Sequence, residues 1–382
     1  MAMTPRERVV AALAHKEPDR VPIGFGCLHD SIHVFGHRKL KEYYGMGGGE
    51  ERIQDAFQQI VFPDQRLLDR FQADCRPVYA RAARPYEFAY YQEGEFRKWK
   101  DEWGTVYRQP VKTGIWFDFE KHIWSGKSAA EIKAHKLPDP TDSSRFEGLR
   151  EQVQKLLAET DKAIVAHAPT GGIVEHSYWL RGVDESYMDM GADPAMVELV
   201  ADRVVEWLEA WWTRYMQTIG DLVQVVQMGD DLGGMDGPLF SPALYRKYFK
   251  PREARLIQIV RKYSKARIYF HSCGAIREYL PDFVDIGLDA INPVQVQARG
   301  MDSAKLKKDF GKDLSFWGGG ADPNKVMSRG TPEDVRQEVK RRIHDLAPGG
   351  GFIFASVHNI QAEVPPQNVE AFFDAALEYG TY

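Results

Sequence analysis

The stretch that decides the fold is IYFHSCGAIREYLPDFVDIGLDAINPV, residues 268–294. It opens on the apolar run Ile268-Tyr269-Phe270 and continues through a helix-forming segment at about 275–287. It then returns to a second apolar run, Ala290-Ile291-Asn292-Pro293-Val294. Two such runs separated by an amphipathic helix predict a βαβ unit, whose strands lie parallel in one sheet.

The same alternation recurs on both sides of this stretch. Further apolar runs lie at 163–166, 222–226, 314–317 and 352–355. The segments between them have helical spacing at about 194–219, 241–263, 301–311 and 331–346. Two of these helices are opened by a hydroxyl residue followed by proline, Ser241-Pro242 and Thr331-Pro332, which is typical of a helix start.

This alternation predicts an α/β protein with a (β/α)₈ barrel of the TIM type. Six runs are accounted for, a further strand is expected near Ile23, and the sequence does not locate the eighth. An open, doubly wound sheet would show the same local pattern. That alternative is weakened because no G-x-G-x-x-G motif follows any of the runs. A barrel keeps its chemistry at the carboxyl ends of its strands.

The N-terminal part of the chain follows a different pattern. A helix is predicted to begin at Pro5 with Thr4 as its N-cap, and residues 30 to about 150 are rich in aromatic side chains. The alternation of polar and apolar residues from Tyr86 to Phe119 predicts antiparallel hairpins. We therefore expect residues 1–150 to hold the first helix, the first strand and a cap that partly covers the strand ends. Residues 151–382 should form the main part of the barrel.

Composition bounds the environment and the partners of the protein. The 382 residues are 43% hydrophobic and 27% charged, with a formal net charge of -5 and basic residues interspersed with acidic ones. This balance argues against nucleic acid as a partner. No apolar run approaches the roughly 20 residues that cross a bilayer, and the start MAMTPRERVV lacks an apolar signal region, so we expect a cytoplasmic protein without a membrane partner.

The motif His271-Ser272-Cys273 is the sharpest chemical signal in the sequence. Side chains two apart in a strand share one face, so the imidazole and the thiol can converge on one ion. Zinc accepts such a mixed ligand set, and a catalytic zinc has three protein ligands and one open position. His358, at the end of a later strand, supplies the third ligand of this hypothesis. The alternative is a buried cysteine beside a hydrogen-bonded histidine.

Asp230 and Asp231 end another strand. Adjacent side chains point to opposite sides of an extended strand, so one carboxylate at most is expected to face the barrel mouth. Such a group can act as a general acid or base or hold a cationic substrate group, whereas the other reading is a loop or helix cap. The sequence does not choose between the two residues.

Other strand ends carry polar or aromatic side chains that we expect to bind substrate. They are His167, Asn292, Gln295 and Trp317. None of these positions is specific when taken alone.

Several segments together resemble the uroporphyrinogen decarboxylase superfamily, and the resemblance covers nearly the whole chain. The segments are Thr4 to Arg8, Pro18 to Pro22, Ser241-Pro242 through Pro251, His271-Ser272-Cys273-Gly274, Leu280-Pro281-Asp282, Gly287 to Ala290, Gly330 to Val335, His358-Asn359-Ile360 and Val364 to Asn368. The resemblance implies a (β/α)₈ barrel.

Two branches of that superfamily differ in motifs whose positions can be found in this sequence. True uroporphyrinogen decarboxylases carry arginines after the first strand that grip the carboxylates of the substrate, whereas Gly24 to Asp30 contains none here. The cobamide-dependent methyltransferases look like a closer match through H-x-C-G. Their zinc ligands are that histidine, that cysteine and a later cysteine, whose position aligns here with His358. The decarboxylases also have histidine there.

Three hypotheses follow from the residues and the resemblance. The leading one is a zinc-dependent methyltransferase that exchanges a methyl group between a small molecule of methoxy, methylamine or thiol type and a corrinoid protein or cobamide. In it His271, Cys273 and His358 hold Zn²⁺, and Asp230 or Asp231 orients substrate or handles a proton. The second is a metal-free decarboxylase of a carboxylated, tetrapyrrole-type substrate that uses His358 and an aspartate. The third is a non-catalytic barrel that binds a corrinoid protein. A homodimer is compatible with the sequence.

Overall fold

A computed structural model of the chain describes residues 3–169 and 171–382. The strands, in chain order, are β1 (Ile32–His33), β2 (Ile53–Asp55), β3 (Ile60–Val61), β4 (Cys75–Val78), β5 (Tyr91–Glu93), β6 (Phe96–Lys100), β7 (Val106–Pro110), β8 (Asp118–Lys121), β9 (Ala163–His167), β10 (Val225–Gly229), β11 (Arg267–His271), β12 (Ala290–Asn292), β13 (Ser315–Trp317) and β14 (Phe352–Ile353). The α-helices are α1 (Pro5–Leu13), α2 (Val34–Tyr43), α3 (Gln65–Arg70), α4 (Ala129–Ala134), α5 (Leu149–Glu159), α6 (Ile173–Arg181), α7 (Val183–Ala192), α8 (Pro194–Ile219), α9 (Pro242–Leu244), α10 (Lys250–Tyr263), α11 (Leu280–Asp285), α12 (Ser303–Phe310), α13 (Pro332–Leu346) and α14 (Pro366–Tyr379).

The main sheet is parallel and follows the chain from strand to strand. Its order is β14-β13-β12-β11-β10-β9-β4, and helices cover its outer side. Strands buried on both faces read as continuous apolar runs, and all of Ala163–His167 is buried. The register sets His271 at the end of β11 beside Gly229 of β10 and Asn292 of β12. The carboxyl ends of neighbouring strands therefore lie level with one another.

Residues 21–25 close this sheet into a barrel. The amide of Gly24 donates to the carbonyl of Phe354 at 2.8 Å, and the amide of Asp74 donates to the carbonyl of Ile23 at 2.8 Å. The segment thus lies between β14 and β4 and acts as the eighth strand. The (β/α)₈ barrel and the strand near Ile23 are confirmed, and the strand that the sequence did not locate is Cys75–Val78.

The carboxylate of Asp74 fastens the closure from inside. It accepts hydrogen bonds from the Ile23 amide at 2.7 Å, from the Arg8 guanidinium at 2.7 Å and from the Arg20 guanidinium at 2.8 Å. Asp74 is fully buried, and both arginines are largely buried. The carboxylate of Asp74 therefore holds α1, the closing segment at residues 21–25 and β4 together.

The barrel interior is filled by its own layer of side chains. They include Cys27, Cys75, Val165, Val225, Tyr269 and Trp317. The indole of Trp317 donates to Asp30 at 3.0 Å, directly across Gly24. A Cβ at Gly24 would lie 2.6 Å from the Asp30 carboxylate, so only glycine leaves room for this contact.

The cap with β-hairpins is also confirmed. An antiparallel sheet of order β5-β6-β7-β8 and a smaller sheet of order β1-β3-β2 precede β9 in the chain. The larger sheet packs around Trp99, Tyr107 and Phe117, a hydrophobic cluster separate from that of the barrel. The division of the chain at residue 150 stays a prediction, and the barrel strand β4 lies before it.

Within residues 3–169 and 171–382, none of the helices combines the length and the hydrophobicity that a bilayer span requires.

Replacing Asp74 tests the closure. Asp74→Ala removes the carboxylate partner of the largely buried Arg20 and one of the two carboxylate partners of Arg8, which keeps Asp19. We expect the free energy of unfolding to fall by about 3–5 kcal/mol. Asp221→Ala breaks the exposed pair with Arg150 and should cost less than about 1 kcal/mol. Urea titrations of both variants measure the difference. Equal losses would show that Asp74 does not carry the closure.

Candidate functional site

Three side chains from two strand ends meet at the mouth of the barrel. His271 closes β11, Cys273 follows two residues later, and His358 follows β14. One nitrogen or sulfur atom from each of them lies within 4.8 Å of the other two. The structure therefore brings together the residues that the sequence assigned to a metal site.

Asn292 fixes the ring of His271. The Oδ1 atom of Asn292 lies 2.5 Å from the Nδ1 atom of His271, and the Nδ2 atom donates to the carbonyl of Trp317 at 3.2 Å. Because the amide nitrogen is used by Trp317, the amide oxygen accepts from Nδ1–H. The lone pair of His271 is then on Nε2, which lies 3.5 Å from the sulfur of Cys273.

The loop after β11 is held by neighbouring strand ends. The Cys273 amide donates to Asp231 at 2.8 Å, and the Gly274 amide donates to Gln295 at 2.6 Å. Gly274 has a φ of 85°, and a Cβ there would lie 2.2 Å from the carbonyl of Gly233. The glycine of H-x-C-G is thus required by this close approach.

Burial sets the protonation of these groups. It lowers the pKa of His271 to about 4, and burial followed by the neighbouring His271 lowers the pKa of His358 to about 4. Both imidazoles are therefore neutral at pH 7 and able to act as ligands. Burial and the carboxylates of Asp231 and Glu175 raise the pKa of the Cys273 thiol well above its usual value. That thiol keeps its proton until a cation replaces it.

The donor set fits a zinc ion. A tetrahedron with the usual Zn–N and Zn–S bond lengths separates nitrogen from sulfur by about 3.6 Å. The Nε2 atom of His271 lies 3.5 Å from the Cys273 sulfur, and His358 completes a set of three. Two imidazoles and one thiolate make a mixed set of the kind that zinc accepts.

The two aspartates after β10 have different surroundings. Asp230 is fully buried and accepts hydrogen bonds from the amides of Val174 and Glu175, both at 2.7 Å, in the first turn of α6. Burial nevertheless raises the pKa of Asp230 to about 7. Asp231 instead lines the cavity described below, and its Oδ1 atom lies 3.9 Å from His271 Nε2. Asp231 is thus the aspartate that faces the barrel mouth, and Asp230 caps a helix.

The residues expected to bind substrate lie behind the cavity wall. Asn292 supports His271, Gln295 supports Gly274, and Trp317 is buried in the barrel interior. His167 is fully buried and stacks on Tyr79 with ring centroids 4.8 Å apart. None of the four lines the cavity in the part of the chain that the structure describes. Their role as substrate-binding residues stays a prediction.

A cavity of about 630 Å³ lies at the barrel mouth and is lined by His271 and His358 of the three residues. We call residues 53–61 and 91–121 the roof, because their side chains cover the strand ends. The roof residues that line the cavity are Gln54, Asp55, Ala56, Phe57, Gln58, Trp99, Tyr107, Trp116, Phe117, Asp118 and Phe119. From below, the cavity is lined by Leu28, His29, Gly171, Glu175, Trp179, Gln227, Gly229, Asp231, His271, His358 and Gln361. The cap therefore forms a lid over the site.

Sequence reasoning did not select His29 or assign a role to Glu175. His29 stacks on His271 with ring centroids 3.5 Å apart, and burial lowers its pKa well below the usual value. Burial, Asp231 and Asp230 together raise the pKa of Glu175 well above its usual value. The signal for His29 was its place directly after the first strand. Glu175 opens α6 beside the glycines that follow β9.

Fold and cavity together define an α/β barrel with its ligand site at the carboxyl ends of the strands. Residues 118–379, more than half of the chain, match the family described as uroporphyrinogen decarboxylase (URO-D), and the chain belongs to that family. The superfamily resemblance seen in the sequence is thus confirmed.

Several uroporphyrinogen decarboxylases are similar to part of the chain. The uroporphyrinogen decarboxylase of Psychromonas ingrahamii is 29% identical over 187 residues, which span 48% of this chain and 47% of that protein. The uroporphyrinogen decarboxylase of Pseudoalteromonas translucida is 26% identical over 192 residues, 48% of each chain. The match thus spans about half the length of these relatives. A solved methyltransferase from Methanosarcina mazei covers 99% of both chains with a TM-score of 0.66 and 16% identity, which is a likeness of fold.

The histidine behind the cavity wall makes stability depend on pH. Burial lowers the pKa of His167 to about 3 from its usual 6.5, so the unfolded chain takes up a proton there before the folded one does. The contribution of neutral His167 to the free energy of unfolding is full above pH 6.5. It falls by about 1.4 kcal/mol per pH unit as the pH drops toward 3. His167→Phe should therefore lose less free energy of unfolding than the wild type between pH 6 and pH 4. His344→Phe, at an exposed histidine of α13, is the matched control for replacing a histidine by phenylalanine. Parallel slopes for His167→Phe and wild type would contradict the expectation.

Proposed function

We propose that the protein is a zinc-dependent methyltransferase that moves a methyl group between a methylated small molecule and a corrinoid protein or cobamide. The observation that carries the proposal is the His271, Cys273 and His358 set beneath a covered cavity. The methyl-transfer reaction comes from the resemblance of H-x-C-G to the cobamide-dependent branch. The solved methyltransferase of similar fold is compatible with this reaction.

Different residues of the chain would have different roles in such a site. His271, Cys273 and His358 would hold the ion, and Asn292 keeps the first of these rings in place. When bound, zinc supplies a Lewis acid that polarises the heteroatom bearing or receiving the methyl group. Asp231 lines the cavity beside the ligands, where it orients substrate or accepts a proton. The roof covers the same space and would limit the access of water to it.

A metal-free decarboxylase is the second candidate function, and the names of the relatives favour it. His358 and Asp231 would then position and protonate a carboxylated substrate. The charge of the cavity argues against this candidate, since no lysine or arginine is among the described residues that line it. A substrate with many carboxylates would meet aspartate and glutamate there instead. Porphyrinogen turnover by the purified protein would favour this candidate.

The partner and the compartment belong to the proposal as well. A corrinoid protein would deliver or remove the methyl group at the barrel mouth, and the reaction would take place in the cytoplasm. Tight binding of a corrinoid protein without any turnover would instead favour a non-catalytic barrel.

Metal analysis tests the proposal directly. Protein purified without chelator should contain about one zinc per chain, because one ligand set is present. Cys273→Ser should lose most of the metal while its circular dichroism stays that of the wild type. Cys75→Ser removes a buried thiol outside the set and should keep the zinc. Wild-type protein that stays metal-free when supplied with zinc, or full activity of Cys273→Ser, would move the decarboxylase ahead.

The support of His271 by Asn292 has its own consequence. Asn292→Ala removes the acceptor that fixes the ring, and zinc affinity should fall by about 10- to 100-fold. Competition with a chromogenic chelator measures this affinity. Gln295→Ala, which removes the acceptor of the Gly274 amide rather than that of a ligand ring, is the matched control and should have a smaller effect. The opposite ranking of the two variants would contradict the role of Asn292.

A further inference from the structure

We infer that the small molecule bound in the cavity carries a cationic methylated ammonium group, held against the aromatic side chains of the roof. The inference rests on the proposed methyltransferase function, whose small-molecule substrate it narrows to one chemical class. It depends on the shape and charge of the cavity wall and on no property of the metal ligands.

The aromatic wall is continuous from the roof to the barrel. Trp99 stacks on Tyr107 at 4.1 Å between ring centroids, and Tyr107 packs against Phe119 at 5.1 Å. Phe119 contacts Phe57 at 5.3 Å and Trp179 of α6 at 6.4 Å. All five side chains line the same cavity. Trp99 and Tyr107 are buried and stack on each other, so they support the wall from behind. Phe57, Phe119 and Trp179 are only partly buried and offer the cavity ring surface with few hydrogen-bonding groups.

The described side chains that line the cavity provide negative charge but no lysine or arginine. Its acids are Asp55, Asp118, Glu175 and Asp231, beside Tyr107, His29, His271 and His358. Burial raises the pKa of Asp55, and burial with Asp231 raises the pKa of Glu175 well above its usual value, so the charge used here is that of Asp118 and Asp231. Neither lysine nor arginine is among the lining residues within the described chain. The guanidinium of Arg97 stacks on Phe117 at 5.3 Å, but it is bound by Gln59 and Gln109 and does not line the cavity.

This combination distinguishes between the classes of methylated small molecule. An aryl methyl ether would stack on the rings but would gain nothing from the carboxylates. A methylated acid would be repelled by the carboxylates and would find no cation to pair with. A methylated ammonium group uses both features, because its positive charge is attracted by the quadrupole of each ring and by the acids. Its methyl groups cover the charge and reduce the cost of leaving water.

The cavity also has a size that suits such a molecule. Its volume of about 630 Å³ lies within the range of small-molecule sites. The aromatic wall shares this space with His271 and His358, and the sulfur of Cys273 lies 3.5 Å from the Nε2 atom of His271. The nitrogen of a methylated ammonium group has no lone pair until a methyl group leaves, so the wall and not a metal would hold the group before transfer. Its methyl groups would then lie in the same enclosure as His271 and His358.

Binding of a matched pair of probes tests the inference without methyl transfer. Choline and its uncharged analogue 3,3-dimethyl-1-butanol have the same shape, and the full-length protein is titrated with each by calorimetry. We expect choline to bind at least about tenfold more tightly, because a cation among desolvated rings is favoured over its neutral isostere. The preference should be present in protein with and without zinc.

Two substitutions test whether the aromatic wall causes the preference for choline over its uncharged analogue. Phe119→Leu and Trp179→Leu keep an apolar side chain but remove a ring, and each should weaken choline binding by about fivefold while leaving the analogue unaffected. Tyr91→Leu removes an exposed ring of the same roof sheet that does not line the cavity, and it should change neither affinity. Using two variants guards against a local disturbance of the roof in one of them.

The inference is overturned if the uncharged analogue binds as tightly as choline, if neither probe binds, or if 4-methoxyphenol binds more tightly than choline. Each of these results leaves the zinc analysis of the wild type and of Cys273→Ser untouched. The experiments can therefore reject the methylated ammonium substrate without rejecting the proposed methyltransferase function.

Discussion

The closure of the barrel by Asp74 is the constraint on which the rest of the structure depends. A parallel sheet left open at β4 and β14 would expose two rows of unpaired backbone groups. Residues 21–25 fill that gap, and a buried carboxylate shared by Arg8 and Arg20 holds them there. Because removing one partner of a buried ion group is far more costly than losing an exposed pair, the closure is firmly specified. Every strand end then faces the same mouth.

The metal residues follow from that geometry. Closed, parallel strands in register bring His271 beside Asn292, and the bend at Gly274 turns Cys273 back toward the same point. Burial keeps both imidazoles uncharged, so the cost of dehydrating the site is met before any cation arrives. His358 approaches from the strand next to the closure. Strand pairing thus fixes the backbone positions of the ligands, and the site does not depend on flexible side chains for its assembly.

The sequence predicted the barrel and the three ligands because both are written in local patterns: alternation for the strands and H-x-C-G for the turn. It did not locate β4, since Arg76 and Pro77 interrupt the apolar pattern of a strand only four residues long. The choice of Asp231 over Asp230 depended on where α6 begins after the neighbouring strand β9, which no local pattern around the aspartates records. His29 was missed for a similar reason, because its importance comes from stacking on a ring far along the chain.

The roof packs around a hydrophobic cluster of its own, apart from that of the barrel. Its residues come from 53–61 and 91–121, whereas the metal residues come from 271–358. Mutations in the two regions therefore act on different properties. In the course of evolution, a lineage can exchange the roof side chains for others of different size or polarity without disturbing the ligands beneath them. Such a division lets one scaffold diversify in what it accepts while its reactive centre is inherited unchanged.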